Sequence, residues 1–420
     1  MTTSPGLRPF DPRRVPFYYG WVVLVVGTLG VLASVPGQTA GVSVFTDKLI
    51  EVTGLERVDL AVAYLVGTGS SGLILPRAGR AIDRWGSRVT AFAAVVGLSA
   101  TLVGLSFVGP MREPVAFVVL SVGFGCLRFS GQGVLTLSSR TMISQWFDRN
   151  RGLVSSGSNA LMSFAFAASP WFLYWLVEAS GFRIAWRLMA VVLLLGVGTL
   201  ILVMFRPSPE SCGLVIDGGP VGGAPVGWEA AGADAAAEAE PVVVGTDDDL
   251  TRAEAVRRRS FWAVTAPVVA LASTGTAITF HILDFGRQIG VADERIVGIF
   301  VPVALVSVPV SLAGGYLVDR RSPLELAVMA ALAQLVMYFS VWRLADGAFV
   351  VLATVAWGLA QGCYAPLTSA ALPRLFGRRH LGAIAGLQMS LMVIGSAVGP
   401  ALFAVVDDRV GRYEPALWIS

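Results

Sequence analysis

Charge is scarce in this chain. Asp, Glu, Lys and Arg make up 14% of its 420 residues, against 55% hydrophobic, and the mean hydropathy is +0.70. Water-soluble domains carry about 25% charged residues, so this composition excludes a soluble globule and fits a chain that a bilayer solvates directly. Lysine is almost missing (Lys48 alone) and the net charge is only +3, which excludes a nucleic-acid partner held by phosphate contacts. Cysteine is limited to Cys126, Cys212 and Cys363 and histidine to His281 and His380. An odd, scattered set of thiols excludes a disulfide framework, and so few ligands exclude a metal site. No phosphate-binding glycine loop, Ser-His-Asp arrangement or intramembrane protease pair is present. The chain therefore reads as a non-enzyme with no cofactor.

What it does have is long apolar runs. A bilayer core needs roughly 20 apolar residues of helix. Such runs recur at about Tyr18–Phe45, Val58–Ala78, Val89–Val108, Val115–Ser138, Gly152–Val177 and Ile184–Phe205, then at Phe261–Phe285, Arg295–Val318, Leu324–Leu344, Phe349–Leu372 and Leu381–Val406. These predict eleven membrane-spanning helices. A twelfth opens at Pro415-Ala-Leu-Trp-Ile-Ser420 and breaks off, which is read as a truncated record, with a true eleven-span chain as the alternative. The first run is too long for a signal peptide. Residues 1–16 form a polar tail, 17–205 a first six-helix bundle, 206–260 a linker and 261–420 a second bundle. The linker is rich in Gly, Ala, Pro and acids and too poor in apolar residues to fold alone. Its end, Thr251 to Arg259, reads as a short basic amphipathic helix on anionic lipid.

Arginines accumulate in alternate connections: Arg80, Arg84 and Arg88; Arg149 and Arg151; Arg257 to Arg259; Arg320 and Arg321; Arg374, Arg378 and Arg379. Positive charge marks the cytoplasmic side, so the amino terminus is expected inside, in a multi-pass protein of the inner or plasma membrane. Tyr18, Tyr19 and Trp21 read as an interfacial aromatic belt.

The halves repeat one another. Gly79-Arg-Ala-Ile-Asp83-Arg84 follows the second span, and Gly315-Tyr-Leu-Val-Asp319-Arg320 follows the corresponding span of the other half. Gly152 leads to Ser169-Pro170 as Gly382 leads to Gly399-Pro400. Duplicated bundles of this kind enclose a cavity near the midplane and alternate its access. The segment from Gly79 through Asp83, Arg84 and Gly86 to Arg88 resembles the loop between the second and third spans of the major facilitator superfamily. That resemblance implies a latch of Gly79, Asp83, Arg84, Gly86 and Arg88, with Asp319 and Arg320 as its partial copy.

Polar residues inside the spans are candidates for the translocation path. Arg128, in Arg128-Phe-Ser-Gly-Gln132-Gly133, falls near mid-membrane with no acid at similar depth in the first half. A cation there needs a partner or a wet cavity, and a lone guanidinium suits an anionic substrate; packing against backbone carbonyls is the alternative. The stretch also resembles the superfamily's fourth-span arginine motif, which is linked there to proton coupling. Gln38, Gln132, Asn159, Gln361, Tyr364 and Gln388 are further cavity liners or interhelical hydrogen-bonding groups. His281 and Asp284, toward the outer end of the seventh span, are candidates for a coupled proton.

Tyr19-Gly20-Trp21-Val-Val23, Trp146 to Gly152, Pro209-Glu-Ser-Cys-Gly213, Phe261-Trp262, Thr279-Phe-His281 and Leu375 to Gly382 together resemble the monocarboxylate and oxalate:formate antiporter branch. Monocarboxylate carriers use a lysine in span one and an Asp-Arg pair in span eight; neither is present here. The basic residues that oxalate exchangers use in spans eight and eleven are also missing, which argues against dicarboxylate exchange. The expectation is a monomeric carrier of a small organic anion, a monocarboxylate, working by alternating access with protons as a candidate coupling ion. Proton-driven efflux of amphipathic compounds is the alternative, and a non-transporting membrane sensor a third.

Overall fold

The computed structural model describes residues 9–149, 151–218, 249–281, 286, 288, 290–291, 299–341, 343, 347–411 and 414–417. These residues form helices and turns, with no strand among them. Hydrocarbon cannot hydrogen-bond to peptide groups, so a spanning segment must satisfy them within itself, and the helix does that.

Nine helices among the described residues are long and apolar enough to cross a membrane. One of them lies in Arg57–Leu105, where Gly86 takes φ 82° and divides two consecutive spans. The helix Arg151–Ser180, with 30 residues, has the length of a further crossing. Nine helices, the one divided at Gly86 and this additional one account for the eleven expected spans. The first span is α1 (Gly20–Leu32), and α2 is Arg57–Leu105. The fourth span is α3 (Glu113–Leu127), a π-helical stretch Arg128–Leu135 and α4 (Thr136–Trp146) in line. The fifth span is α5 (Arg151–Ser180), and the sixth runs through α6 (Phe182–Val191) and α7 (Gly198–Met204). In the second half come α8 (Arg252–Arg257), α9 (Arg259–Phe280), α10 (Phe300–Arg320), α11 (Pro323–Val341) and α12 (Gly347–Ala365). A π-helical stretch Pro366–Ala370 and α13 (Ala371–Phe376) complete the tenth span, and α14 (Leu381–Val410) is the eleventh.

The first span stops short of its expected end. Pro36 lies in a 3-10 turn, Val35–Gly37, and Gln38 is extended, so the helix restarts only at Thr39. Proline supplies no N–H and breaks the ladder. The fourth span, by contrast, runs eight residues past the predicted end at Ser138, to Trp146.

Each half has its own apolar core. In the first it is built around Phe124, Trp146, Trp186 and Phe205; in the second it falls into two clusters, one around Met337, Trp357 and Phe403 and one around Phe261 and Phe376. Leu73, Leu195 and Leu305 point outward with 66–70% of their surface exposed, as side chains facing lipid do. The halves meet where α14 packs on α2 and α10 on α5. Tyr19, expected at the aromatic belt, is instead core. It is 1% exposed, donates to the Met204 carbonyl at 2.8 Å and packs against Trp146 with the rings tilted by 54°.

Candidate functional site

At the arginine-rich face, two aspartates cross between the halves. Asp83, near the middle of α2, accepts from the backbone N–H groups of Gly382 and Ala383, both at 2.7 Å. Asp319, at the end of α10, accepts from Gly152 at 2.7 Å and Leu153 at 3.1 Å. Each carboxylate therefore caps the first turn of a helix in the opposite half, where orphan amides and the helix dipole favour negative charge. A cap of this type contributes about 1 kcal/mol. Gly79 and Gly315 lie one turn before their aspartates, and a Cβ on either would run into the carbonyl of Gly382 or Gly152. The contact that these aspartates of the expected latch make is thus carboxylate to amide. Arg84 is exposed, Arg88 donates to the Leu202 carbonyl, and Arg320 lies over the Tyr316 ring at 3.7 Å.

Arg128 is placed differently from the expectation of a wet cavity. It is 3% exposed and fills the break in the first span. Its Nη1 donates to Thr39 Oγ1 at 3.2 Å and reaches the Gly37 carbonyl at 3.5 Å, and the guanidinium lies 5.5 Å from the Tyr64 ring. Tyr64 in turn donates to Thr39 at 3.1 Å. The carbonyl that Arg128 meets is free because the helix breaks there. Gln38 and Gln132 are chain neighbours of this cluster: Gln38 donates to Ser34 at 2.9 Å, whereas Gln132 Oε1 and Arg128 Nε are buried with no hydrogen-bond partner among the described residues.

The cation that does face a cavity between the halves is Arg140, on α4. A cavity of about 30 Å³ is lined by Arg140, Thr136 and Ser144 from the fourth span, Thr368 and Ser369 from the tenth, and Gln388, Met389 and Met392 from the eleventh. A smaller one of about 10 Å³ lies beside Arg140, Ser155, Ser158, Asn159 and Ser369. The larger has room for about two water molecules and the smaller for about one at most. Arg140 Nη1 donates to Thr368 Oγ1 at 3.3 Å, and among the described ion pairs none includes Arg140. Thr368 is anchored by its own bond to the Tyr364 carbonyl at 2.9 Å. The Tyr364 hydroxyl points to Met392 Sδ at 3.9 Å, and Gln388 donates to Thr265 at 3.3 Å. Asn159, Tyr364 and Gln388 therefore gather around Arg140, while Gln38 and Gln132 are chain neighbours of the Arg128 cluster.

Arg140 escaped sequence reasoning because Ser138-Ser139-Arg140-Thr141 looks like the polar end of a span. The signal that could have found it is Trp146, a buried aromatic that closes the helix two turns later with its indole on the Arg206 carbonyl at 3.2 Å. Two residues lining the larger cavity join the halves: Ser144 donates to the Ser369 carbonyl at 3.0 Å. Toward the face opposite the arginine-rich one, His281 ends α9 with Nε2 3.0 Å from the Pro400 carbonyl; Asp284 lies outside the described residues.

The helix before the seventh span matches the expected position. Thr251 and Glu254 form a reciprocal cap on α8, with Thr251 Oγ1 on Glu254 at 2.7 Å, and these bonds hold the Glu254 carboxyl below its usual range.

The sequence pattern of the Major Facilitator Superfamily matches residues 127–400. "Monocarboxylate transporter 11" of Mus musculus is 27% identical over 358 residues, 80% of this chain and 70% of that protein. The Homo sapiens protein of the same name is 36% identical over 74 residues, 18% of this chain and 16% of its own length. Among solved structures, the proton:xylose symporter XylE superposes with a TM-score of 0.66 at 16% identity, covering 96% of this chain and 92% of its own. The human organic anion transporter MFSD10 superposes with 0.64 at 14% identity, covering 95% and 98%. At such identities the structural likeness speaks for the fold.

Proposed function

The chain belongs to the Major Facilitator Superfamily of membrane transporters, and on that premise we propose that it carries a small organic monoanion, a monocarboxylate, by alternating access. The observation that carries this reading is Arg140, a cation without a described carboxylate partner on the cavity between the halves. A guanidinium in a low-dielectric site gains most when one negative charge approaches it, and a planar carboxylate meets it bidentately. A second negative charge would have no described counter-ion among the cavity liners, so a monoanion fits better than a dianion. Leu137, Ala385, Met389 and Met392 offer an apolar surface for the rest of the solute. The mouse relative's name supports the same class of solute.

The anchoring role first assigned to Arg128 passes in this reading to Arg140, and Arg128 supports the break in the first span. Water-sized cavities require the halves to part before a solute enters, and the crossed caps of Asp83 and Asp319 are the contacts that must release. The arginine-rich face is taken as cytoplasmic, with the amino terminus inside a cell membrane. His281 is the proposed site of a coupled proton, with Asp284 as its alternative.

Purified protein in proteoliposomes tests the proposal. Labelled lactate- or pyruvate-sized monocarboxylates should accumulate, and dicarboxylates should neither accumulate nor compete. Absence of monocarboxylate flux under both inward and outward proton gradients overturns the substrate class. His281→Asn should remove acid stimulation while exchange without a gradient persists; unchanged acid stimulation removes His281 from coupling.

A further inference from the structure

The connection between the halves contributes an aspartate at each of its described ends, and the two do the same thing. Asp217 accepts from the backbone N–H groups of Asp148 at 3.0 Å and Arg149 at 2.8 Å. Asp249 accepts from those of Arg378 at 2.8 Å and Arg379 at 3.2 Å. The two recipient loops occupy equivalent positions in the repeat. Each pair lies four residues before the amides taken by the crossed aspartates, Gly152 and Leu153 in one half, Gly382 and Ala383 in the other. Each loop is thus held by two carboxylates, one from its own half's end of the connection and one from across the interface.

Two further observations show that these contacts shape the backbone. Asp217 has φ 58°, and it is the sole non-glycine with positive φ among the described residues. Such a conformation is retained where surrounding contacts enforce it. Gly377 has φ 80°, and a Cβ there would meet both the backbone and the carboxylate of Asp249. A tether without further function needs neither feature. The loop that Asp249 holds also sends Arg378 across the interface, to the Gln145 carbonyl and to Glu210 at 3.2 Å. On the other side, Tyr18 joins the assembly by donating to the Trp146 carbonyl while accepting the Asp217 N–H at 3.1 Å.

We infer that the two ends of the connection are part of the gate: Asp217 and Asp249 are positioning residues that hold the two loops in the shape the crossed caps of Asp83 and Asp319 require. Closure of the arginine-rich face then depends on four aspartates in two layers, and loss of the outer layer loosens the inner one. This holds whatever the solute is, so it stands or falls apart from the role given to Arg140.

Hydrogen exchange on full-length protein in lipid nanodiscs tests it. Asp249→Ala should speed exchange at Arg378 and Arg379, whose acceptor is removed, and also about fivefold or more at Gly382 and Ala383, whose acceptor Asp83 is untouched. Asp217→Ala should do the same at Gly152 and Leu153. Asp249→Asn keeps an acceptor oxygen without the charge, so it should restore part of the protection at all four amides of its loop. Acceleration confined to residues 148–149 and 378–379 means local capping only and overturns the proposal. So does acceleration of equal size throughout α5 and α14, which reports general unfolding, when the Asn variant shows it as well.

Discussion

In the proposed reading, two arginines of the fourth span, Arg128 and Arg140, divide the work that the sequence suggests for one. Twelve positions apart, they are separated by roughly 18 Å of helix rise. Arg128 was legible as a lone cation, because a charge in the middle of an apolar run stands out. What was not legible was its surroundings: Pro36 marks a break in the first span, but that Gly37 and Thr39 then meet Arg128 of the fourth span is a tertiary contact. Arg140 was hidden among serines at the end of an apolar run. The two residues should separate experimentally. Arg140→Gln should lower uptake at least about tenfold, the equivalent of losing roughly 1.4 kcal/mol of interaction, with a melting temperature close to the parent's. Arg128→Ala takes the Arg128 donor from the Gly37 carbonyl and leaves Thr39 with Tyr64 alone, and should cost about 1–3 kcal/mol of stability. Thermal unfolding in detergent should show that loss, and the KM of the surviving protein should stay near the parent's.

At the scale of elements, the apolar runs predicted every span that the described residues contain, because about 20 residues of hydrocarbon-compatible helix is a demanding pattern. Their ends were less legible. Polar faces such as that of Thr136 to Ser144 remain helical when they line an internal cavity, so polarity alone did not mark the end of the span. The π-helical stretches Arg128–Leu135 and Pro366–Ala370 left no mark in the composition. They lie in the fourth and tenth spans: the first ends five residues before Arg140, and the second contains Thr368, its hydrogen-bond partner. Wide turns of this type recur at functional sites, and here they set the register of the residues that follow. Close packing of elements gives a sharper prediction. Gly315→Val places a branched side chain against the Gly152 carbonyl and Ser156. It should shift the protein toward the state open at the arginine-rich face. A cysteine introduced at Thr141 in a background lacking the native cysteines should then be alkylated about fivefold faster or more from that face, and an unchanged rate contradicts the packing argument.

For the whole molecule, the repeat of Gly79 to Asp83 at Gly315 to Asp319 made the two-bundle architecture legible in the sequence. The sequence could not say that each aspartate reaches across to the other half, because the contact partners are backbone amides, which every residue but proline possesses. That same chemistry hid Asp217 and Asp249. Joint replacement of Asp83 and Asp319 by Asn should weaken closure more than either change alone, since the caps act at opposite edges of one interface. Alkylation at the same reporter position measures it, and a double variant indistinguishable from the parent argues against the crossed caps as the gate.

The central claim is that a single guanidinium at the interface of the halves receives the carboxylate of the solute. Counterflow of a labelled monocarboxylate in proteoliposomes, compared between the parent and Arg140→Gln at matched protein incorporation, measures it most directly. The parent should show a transient overshoot and the variant none, with Arg128→Ala retaining an overshoot in proportion to its folded fraction. An overshoot of parental size in Arg140→Gln contradicts the claim.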